Sequence, residues 1–592
     1  MASVHHAPAA LPDESSTARA TRRTGAQIIW DALEREGVET VFGYPGGAIL
    51  PTYDAMLDSK IHHVLVRHEQ GASHMADGYA RATGKVGVAV ATSGPGATNL
   101  VTGIATAMLD SSPVVFITGQ VFSTLIGKDA FQEIDIIGIT MPITKHNYLV
   151  TRAEDIAKTI KEAFYVARSG RPGPVLVDIT KDAQQQSCDV VWDDSPVTMP
   201  GYRPKLDTPK SEFAKAVELI REAKRPLVLA GRGIILSGAE RALKTYIDKT
   251  QTPVALTLLG LGCLPSQHDL NLGMMGMHGE SWVNTAIQEA DLLLAFGMRF
   301  DDRVTGNLAT YARNAKKIHI EIDPAEIHKN VRADVALVGD LREVLEKLTL
   351  QIDSKGHPDW VARIDDLRGD SAVLDIKNLP DEGHLYAAHV IHDIHRITNG
   401  EAIVVSDVGQ HQMWEAQYYK HDFSRGLITS GGLGTMGFAL PAAIGARFGK
   451  RDKEVWVVVG DGGFQMTACE LATCCQEGIK VNIAIINNGY LGMVRQWQEF
   501  FHNRRYAATP ITAPDFVKLA EAHGLKGFRV TNRAELPTIV EQARAEKGTV
   551  VIDFRVEQED AVYPMVPAGA DLDKMIRRPA RSPITEAGDD DK

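Results

Sequence analysis

The sequence has few cysteines, no surplus of basic charge and no long apolar run. Five cysteines among 592 residues cannot cross-link a secreted scaffold, so they favour a reducing, cytoplasmic compartment. No uninterrupted apolar stretch approaches the roughly 18–20 residues that span a bilayer, which argues against an integral membrane protein. Because 75 acidic residues outweigh 63 lysines and arginines and leave a net charge of −12, the composition also argues against a nucleic-acid-binding protein.

What the sequence does contain is an alternation of strand and helix patterns along almost its whole length. Hydrophobic residues make up 44% and charged residues 23% of the chain, as is usual for a globular protein of about three or four domains. The alternation predicts an α/β fold with buried parallel sheets. The predicted strands are Val86–Ala91, Val114–Thr118, Val175–Asp178, Leu227–Ala230, Leu292–Phe296, Ile318–Ile322, Ile403–Ser406, Val455–Val459, Asn482–Ile486 and Thr549–Phe554. The predicted helices are Gly25–Glu36, Asp155–Ser169, Ser211–Ala223, Phe516–His523 and Arg533–Ala545.

Two stretches rich in turn-forming and polar residues, 184–209 and 350–383, divide the chain into three blocks of plausible domain size. We therefore predict domains over residues 25–190, 205–350 and 380–565, with tails at 1–24 and 566–592. The first tail lacks the apolar core of a signal peptide, and its acidic residues are unusual in a transit peptide. The last residues of the second tail, Ser582–Lys592, end in an acidic run that predicts a solvated segment.

The first and third blocks contain similar segments. VAVATSGPGATNLVTGIATAM (88–108) and VWVVVGDGGFQMTACELATCC (455–475) each combine a strand, a glycine-rich turn and a helix. A duplicated open-sheet unit would explain the similarity. Two unrelated strand–helix units could also look alike, and the pattern alone leaves both explanations open.

The most informative motif is Gly460–Asp461–Gly462, which is followed after 24 residues by Asn487–Asn488. An apolar strand precedes each element, so both elements are expected at the carboxyl edge of a parallel sheet, where open sheets bind ligands. The glycines allow the backbone to approach a phosphate. The Asp461 carboxylate, the Asn488 carboxamide and a carbonyl just beyond Asn488 are oxygen ligands of the kind that Mg²⁺ prefers.

This spaced pair resembles the thiamine-diphosphate (ThDP) and magnesium motif of thiamine-dependent enzymes. Ten further strings between Thr24 and Pro579 are similar to those of acetohydroxyacid synthase (acetolactate synthase) catalytic subunits. The resemblance implies three doubly wound, parallel-sheet α/β domains, which bind the ThDP pyrimidine, FAD and the ThDP diphosphate in turn, and it implies the cofactors ThDP, Mg²⁺ and FAD. The strings are VFGYPGGA (41–48), RHEQGASHMADGYAR (67–81), TSGPGATN (92–99), GKDAFQE (127–133), ITKHNYLV (143–150), SGRPGPVLVDI (169–179), FGMRFDDRVTG (296–306), DVGQHQMW (407–414), GGLGTMGFALPAAIG (431–445) and LGMVRQWQEF (491–500).

The resemblance assigns five residues to catalysis. Glu69 would lie beside N1′ of the aminopyrimidine and share its proton, which supports the tautomer whose N4′ removes the C2 proton. Met436 would hold the cofactor bent, and Gly47 would offer a backbone N–H to the substrate oxyanion. Gln132 and Lys145 would lie nearby. The residues alone favour a surface charge cluster for Glu69 and core packing for Met436.

The resemblance also implies the contacts to cofactors and substrates. Tyr490 would bind Mg²⁺ through its carbonyl, together with Asp461 and Asn488, although it departs from the residue types typical of that position. Arg303 would meet the acceptor carboxylate, unless it forms a structural ion pair with a neighbouring aspartate. The pyrimidine and diphosphate contacts would be Gly434, Gln410, His411, Gly462 and Gly463, and Met493 and Trp497 would contact substrate. The FAD contacts would be Arg171, Gly231, Gly233, Thr257, Leu258, Met277, His278, Gly297, Arg299, Glu321, Asp323 and Asp340.

The implied activity is that of a transferase in branched-chain amino acid synthesis. The family decarboxylates pyruvate on ThDP and joins the hydroxyethyl carbanion to a second pyruvate, giving 2-acetolactate, or to 2-oxobutyrate, giving 2-aceto-2-hydroxybutyrate. Trp497 matches the position that favours 2-oxobutyrate. The implied assembly is a homodimer or homotetramer with its active site between subunits, together with a regulatory small subunit, and neither nucleic acid nor a membrane is expected as a partner.

Three other functions are compatible with parts of the sequence. A pyruvate oxidase or a catabolic acetolactate synthase would share the thiamine motifs, but the string RFDDRV (299–304) argues against the catabolic enzymes. A nicotinamide dehydrogenase is disfavoured because no G-x-G-x-x-G follows a strand. A non-catalytic scaffold is disfavoured because Glu69, Asp461 and Asn488 are all present.

Overall fold

Three sheets, each of six parallel strands joined by helices, organise the protein, whose computed structural model describes residues 21–369, 379 and 384–579. This architecture confirms the predicted α/β class. A separate antiparallel ribbon pairs β1 (Thr21–Thr24) with β8 (Ser187–Val190). All five cysteines are unpaired thiols. Among the described residues, no helix has both the length and the apolar character needed to cross a bilayer.

The first sheet has the order β3-β2-β4-β5-β7-β6. Its strands are β2 (Thr40–Gly43), β3 (His62–Leu65), β4 (Gly87–Ala91), β5 (Val114–Gln120), β6 (His146–Val150) and β7 (Val175–Thr180). The helices of this unit are Gly25–Arg35, Leu50–Ala55, Glu69–Thr83, Pro95–Asn99, Val101–Leu109, Ile136–Thr140, Ala153–Arg168 and Lys181–Gln185, with 3-10 turns at Met56–Asp58, Ser123–Leu125 and Met141–Ile143.

The middle sheet has the order β11-β10-β9-β12-β13-β14. Its strands are β9 (Pro226–Ala230), β10 (Val254–Leu256), β11 (Asn271–Met274), β12 (Leu292–Phe296), β13 (Lys316–Glu321) and β14 (Val335–Val338). The helices are Lys210–Glu222, Arg232–Ser237, Glu240–Thr250, Ser281–Glu289, Asp302–Thr305, Leu341–Gln351 and Pro358–Arg368, with 3-10 turns at Leu258–Gly260 and Pro324–Glu326.

The third sheet has the order β16-β15-β17-β18-β20-β19. Its strands are β15 (Ile403–Ser406), β16 (Leu427–Thr429), β17 (Val455–Gly460), β18 (Asn482–Asn487), β19 (Lys526–Val530) and β20 (Val550–Arg555). The helices are Ala387–Thr398, Gln410–Tyr418, Ala439–Gly449, Asp461–Thr467, Leu471–Glu477, Gly492–Phe501, Phe516–Ala522 and Leu536–Ala545, with 3-10 turns at Ala468–Glu470 and Arg533–Glu535.

The first and third sheets share one topology. When the strands of each sheet are numbered along the chain, both sheets have the order 2-1-3-4-6-5, whereas the middle sheet has the order 3-2-1-4-5-6. The first and third blocks, which contain similar sequence segments, therefore also have the same strand order. In both topologies the order reverses beside strand 1, and that switch point opens a crevice at the carboxyl edge of the sheet.

The first and third units pack through two helices whose backbones nearly touch. A Cβ added at Gly78 of the helix Glu69–Thr83 would lie 2.0 Å from the carbonyl oxygen of Ala442 in the helix Ala439–Gly449. A Cβ added at Gly445 would lie 1.8 Å from the carbonyl oxygen of Met75. Only glycine permits this approach from both sides. The two units consequently share one continuous apolar core.

In three segments the structure differs from the tails and inter-domain stretches that the sequence predicts. Residues 21–24 form β1, and Thr24 starts the helix Gly25–Arg35 with a capping box. Within 350–383, the helix Pro358–Arg368 is anchored by Trp360, whose indole N–H donates to the carbonyl of Pro226 at 3.0 Å. Residues 566–579 pack on the middle unit rather than extending freely, because the Val566 and Leu572 side chains enter its core. Residues 1–20 and 580–592 of the expected tails lie outside the described residues.

Candidate active site

A cavity of about 1650 Å³ lies where the three units meet. Most of its lining follows the carboxyl ends of strands in the middle and third sheets, and segments 109–111 and 168–172 of the first unit complete its wall. This edge is where open parallel sheets bind ligands. The cavity is therefore the candidate active site, and most of the predicted site residues line it.

Asp461 and Asn488 meet in this cavity because they follow neighbouring strands. β17 and β18 are paired in register, with Gly460 opposite Ile486, so the residues just beyond them emerge side by side. Tyr490 follows in the same turn, and its backbone N–H donates to Asn488 Oδ1 at 3.1 Å. The structure thus brings together the three residues that were predicted to bind a metal ion.

The environment of Asp461 fits a cation. The residue is 1% exposed, and burial raises the pKa of its carboxyl to about 6, against the opposing effect of nearby backbone N–H groups, including that of Gly489. Its Oδ2 atom has no hydrogen-bond partner within the part of the chain that the structure describes. A buried carboxylate without a partner is costly. One carboxylate, one carboxamide and one carbonyl oxygen form a donor set that suits Mg²⁺ better than Zn²⁺.

Met436 faces the glycines of the GDG turn across the cavity. It lies on a loop of the third unit in which Gly434 and Gly437 adopt φ of +69° and +83°. A Cβ added at Gly462 would lie 3.8 Å from Met436 Cε and 2.7 Å from Leu491 Cδ2. Glycine at 462 therefore leaves room between the turn and the loop. The side chain that was predicted to hold the cofactor bent and the turn that was predicted to bind its diphosphate therefore border the same part of the cavity.

Two aspartates that the sequence reasoning missed hold this loop. Asp407 is fully buried, and its carboxylate accepts from the backbone N–H groups of Gly437 (3.0 Å) and Ala439 (2.9 Å). Asp110, from the first unit, accepts from Gly432 (2.7 Å) and Gly431 (3.1 Å). Burial raises the pKa of Asp407 to about 6. A polar residue directly after the buried strand Ile403–Ser406 was the only signal that could have found Asp407, and no local signal marks Asp110.

Gln410 and His411 begin the helix that follows Asp407. Gln410 is buried, and its Oε1 accepts from Asn488 Nδ2 at 3.2 Å while its Nε2 donates to Gln496 Oε1 at 2.9 Å. Burial lowers the pKa of His411 to about 3, and its Nε2 has no hydrogen-bond partner among the described residues. A neutral imidazole and the N–H groups at a helix N-terminus suit a phosphate group nearby.

The predicted substrate residues lie at the rim of the cavity. Arg303 is exposed; its guanidinium contacts Met277 Sδ at 3.4 Å and lies 3.8 Å from Asp302. That distance is too long for a strong ion pair, so the guanidinium remains available to a carboxylate. Trp497 and Met493 line the cavity from the helix Gly492–Phe501.

The residues predicted to bind FAD cluster around the switch point of the middle sheet. Gly231 and Gly233 follow β9, and they approach Gly297, which follows β12; the N–H of Gly233 donates to the Gly297 carbonyl at 2.9 Å. Burial raises the pKa of Glu321 to about 7. Asp323 does not line the cavity and instead pairs with Arg171 at 3.2 Å. The lining includes Arg171, Gly233, Thr257, Leu258, Met277, His278, Gly297, Arg299, Glu321 and Asp340.

Glu69 lies outside this cavity, at the carboxyl edge of the first sheet. It opens the helix Glu69–Thr83, and its Oε2 accepts from Asn99 Nδ2 at 2.9 Å. The turn 94–96 packs between Glu69 and Gln132. A Cβ added at Gly96 would lie 3.3 Å from Glu69 Oε1, and a Cβ added at Gly94 would lie 3.0 Å from Gln132 Cα. Gly47, which is exposed, follows β2 at the same edge. Glu69 and Gln132 thus form a second cluster, with Gly47 at the same sheet edge, and all three lie outside the cavity of the same chain.

Lys145 belongs to neither cluster. Its ammonium group donates to the carbonyls of Val166 (2.5 Å) and Ser169 (2.7 Å), at the end of the helix Ala153–Arg168. Burial lowers the pKa of Lys145 to about 8. These contacts indicate that Lys145 fixes a helix end; a catalytic role for it stays a prediction.

Comparisons with known proteins agree with the three units. Models of the thiamine pyrophosphate enzyme family match residues 23–139 (N-terminal TPP binding domain), 213–348 (central domain) and 407–554 (C-terminal TPP binding domain). The chain is 49% identical over 581 residues to the "Acetolactate synthase" of Mycobacterium bovis, covering 95% of this chain and 93% of the relative. It is 49% identical over 579 residues to the "Acetolactate synthase large subunit" of Corynebacterium glutamicum, covering 96% and 92%. It is 46% identical over 562 residues to the "Probable acetolactate synthase large subunit" of Methanocaldococcus jannaschii, covering 93% and 95%.

Proposed function

The chain belongs to the acetolactate synthase family of thiamine-pyrophosphate enzymes, and we propose that it condenses two 2-oxoacids with the release of CO₂. One pyruvate would supply a two-carbon unit, and the ketone carbon of a second pyruvate or of 2-oxobutyrate would accept it. The observation that carries this proposal is the meeting of Asp461, Asn488 and Met436 around one cavity. A cation site, a phosphate turn and an apolar side chain across from them match what a bent thiamine cofactor requires.

The residues of this chain would divide the work around the cofactor. Bound thiamine diphosphate supplies a thiazolium carbon that stabilises the carbanion left by decarboxylation. Asp461, Asn488 and the Tyr490 carbonyl would hold Mg²⁺, which in turn would hold the diphosphate. Met436 would fix the orientation of the rings, and the Gly434 carbonyl would accept a hydrogen bond from the amino group of the pyrimidine. Glu69 would hold a proton at the pyrimidine N1′.

The separation of Glu69 from the cavity supports an active site shared between two copies of this chain. Glu69, Gln132 and Gly47 would then meet the Asp461 side of the partner subunit. Large apolar side chains are exposed on the first unit, among them Leu50 (57%), Phe131 (88%) and Met141 (65%). Exposed side chains of this size mark surfaces that pack against another chain. We therefore propose a homodimer, or a homotetramer built from such dimers, as the active form.

The rim residues support recognition of an acceptor that carries a carboxylate. Arg303 offers an exposed planar guanidinium, which binds carboxylates with two parallel hydrogen bonds. Trp497 and Met493 provide an apolar wall on the facing helix. Such a wall would distinguish the ethyl group of 2-oxobutyrate from the methyl group of pyruvate.

The middle unit supports an FAD site even though it lacks a G-x-G-x-x-G motif. Its strand order, 3-2-1-4-5-6, is the order found in dinucleotide-binding sheets, and its switch point lies between β9 and β12. The glycines 231, 233 and 297 converge there. The net reaction transfers no electrons, so a flavin would stabilise the shape of the cavity rather than exchange electrons with substrate. The word "large subunit" in the names of the relatives further supports a regulatory small subunit as a partner of this chain.

The test is a colour assay for acetoin formed from pyruvate, with ThDP and Mg²⁺ present, with each omitted, and with both omitted. We expect product only when both are present. Oxygen uptake that matches product formation would instead identify an oxidase, and a dependence on NADH would identify a dehydrogenase. Absence of product from the intact, loaded protein would overturn the proposal.

A further inference from the structure

A fully buried carboxylate, that of Glu470, lies between the third unit and the start of the helix that carries Glu69. It belongs to the 3-10 turn Ala468–Glu470, which directly follows the helix Asp461–Thr467, and it is 0% exposed. Its Oε1 accepts from the backbone N–H groups of Arg67 and His68, both at 3.1 Å. These two residues immediately precede Glu69, although they lie 403 and 402 residues away from Glu470 along the chain.

The carboxylate is itself held from the opposite side. Its Oε2 accepts from Thr473 Oγ1 at 2.6 Å and from the Arg67 backbone N–H at 3.2 Å. The Arg67 guanidinium reaches back to the Gln476 carboxamide at 2.8 Å and ties the same segment to the helix Leu471–Glu477. Both oxygen atoms of Glu470 therefore accept hydrogen bonds. The bonds from Arg67 and His68 hold the strand-to-helix turn before Glu69, and the bond from Thr473 holds the carboxylate in place.

The Glu470 carboxylate fits beside position 71 only because that residue is glycine. A Cβ added at Gly71 would lie 2.3 Å from Glu470 Oε1, which is closer than any side chain can approach. The carboxylate thus occupies the space where the second residue after Glu69 would otherwise project.

We propose that Glu470 is a positioning residue, which fixes the backbone at residues 67 and 68 so that Glu69 enters the active site in the orientation needed to hold a proton at the pyrimidine. This inference rests on the proposed role of Glu69. Glu69 is the first residue of its helix, so a rotation of the preceding turn would redirect its side chain. Asn99 then holds the Glu69 carboxylate from the other side at 2.9 Å.

Two variants test the proposal from different directions. Glu470→Gln replaces one acceptor oxygen by an amide that cannot accept, whereas Gly71→Ala leaves Glu470 intact but forces its carboxylate away. Glu454→Gln is the matched control, because Glu454 is a partly buried carboxylate of the same unit that pairs with Arg544 at 3.1 Å and does not contact the helix of Glu69. The first readout needs no cofactor: amide hydrogen exchange of the peptide that contains residues 67 and 68 should accelerate in both variants and remain unchanged in the control.

The second readout is the rate at which ThDP, bound at saturation with Mg²⁺, exchanges its C2 proton with solvent. We expect the rate of C2 proton exchange to fall by about tenfold to a hundredfold in both variants. This is the range expected when a catalytic group is displaced by an ångström or less. The affinity for ThDP, measured by calorimetry, should stay close to that of the unmodified protein, since the Asp461 side of the site is intact. A merely structural role would lower the melting temperature and leave the exchange rate at saturation unchanged.

A double variant distinguishes the failure of this proposal from the failure of the proposed function. If Glu470 acts through Glu69, then Glu470→Gln should have no further effect on C2 exchange in a Glu69→Gln background. Additive slowing, or wild-type exchange in both Glu470→Gln and Gly71→Ala while Glu69→Gln is slow, would overturn the positioning role alone. Wild-type exchange in Glu69→Gln would overturn the assigned role of Glu69, and the positioning role with it.

Discussion

The first and third sheets share the strand order 2-1-3-4-6-5 but present different chemistry at the same place. In the third sheet, the switch point between β15 and β17 carries Gln410 and Asp461 into the cavity where the three units meet. In the first sheet, the corresponding point between β2 and β4 carries Gly47, and Glu69 opens the helix after the neighbouring strand β3. One strand order would thus supply two different half-sites, because topology fixes where a site lies and side chains fix what it does.

The two half-sites also differ in exposure, and that difference is informative. Asp461 is 1% exposed, whereas Glu69 is only partly buried and the surface around it bears apolar side chains. The half-site with the predicted metal ligands would be complete enough to bind a charged group within one chain. A half-site that offers one carboxylate beside exposed apolar groups requires a covering surface, which the partner's third unit would provide.

The largest expected effect comes from removing the acid of the first half-site. Glu69→Gln should retain the fold and lower turnover by about two or more powers of ten, because an amide cannot hold the proton at the pyrimidine. Turnover at saturating ThDP is the measurement. Glu39→Gln, which changes an exposed carboxylate of the same unit, is the control and should have normal turnover. A wild-type rate in Glu69→Gln would remove the first sheet from the chemistry and break the comparison.

Removing the acid of the third half-site should act on binding instead. Asp461→Ala deletes the only carboxylate among the predicted metal ligands, so the affinity for ThDP should fall and become strongly dependent on added Mg²⁺. Calorimetric titration with ThDP at several Mg²⁺ concentrations measures the change. The same titration of Glu69→Gln should show much smaller changes. Equal losses of affinity in the two variants would mean that the half-sites do not divide binding from proton transfer.

The parts of the fold that could be read from the sequence are its buried elements. The predicted strands Val455–Val459 and Asn482–Ile486 correspond to β17 and β18, since continuous apolar runs between turn residues leave few alternatives. The edge strands β3 and β19 were missed, because their mixed exposure resembles that of loops. The short helix Pro358–Arg368 was hidden by the polar residues around it.

The site could be predicted only where its residues are close in sequence. GDG and NN follow two strands that are consecutive in the chain, and their meeting follows from the parallel pairing of those strands. Asp407, Asp110 and Glu470 act on segments that lie 30, 322 and 403 residues away, so no local pattern announces them. The contacts of Lys145 with a helix end were equally invisible, because an exposed and a buried lysine look alike in sequence.

A smaller effect is expected at the rim of the third half-site. Trp497→Leu should lower the preference for 2-oxobutyrate over pyruvate as acceptor, because sensing one extra methylene is worth only about 1–3 kcal/mol and depends on a shaped wall. The ratio of the two products in a mixture of both acceptors is the measurement. The matched control is Phe501→Leu. The Phe501 ring packs beside Trp497, with the two ring centroids 5.1 Å apart, but it does not line the cavity. An unaltered product ratio in Trp497→Leu would place acceptor selection elsewhere.

The last prediction concerns stability rather than turnover, and a carboxylate that the two sheets place on equivalent strands. Asp178 on β7 lies opposite Thr118, and Asp553 on β20 lies opposite Ile485. Asp178 accepts from neutral donors only, Thr118 Oγ1 at 2.7 Å and the Gln120 carboxamide at 3.0 Å, whereas Asp553 accepts from two arginines. Burial raises the pKa of Asp178 from 3.8 to about 7, because neutral donors compensate the buried charge incompletely.

The raised pKa of Asp178 makes stability depend on pH in a definite direction. The folded chain holds this proton more tightly than the unfolded chain, so the stabilising contribution is complete below the unfolded value of 3.8 and is lost as the pH rises towards about 7. The slope would be at most about 1.4 kcal/mol per pH unit. Asp178→Asn has no proton to lose, so the decline of its urea unfolding midpoint over this interval should be shallower than that of the unmodified protein. Asp553→Asn should lower the midpoint, because it leaves Arg529 and Arg555 without their shared carboxylate. Parallel pH profiles of Asp178→Asn and the unmodified chain would show that the equivalent carboxylates of the two sheets do not differ in this way.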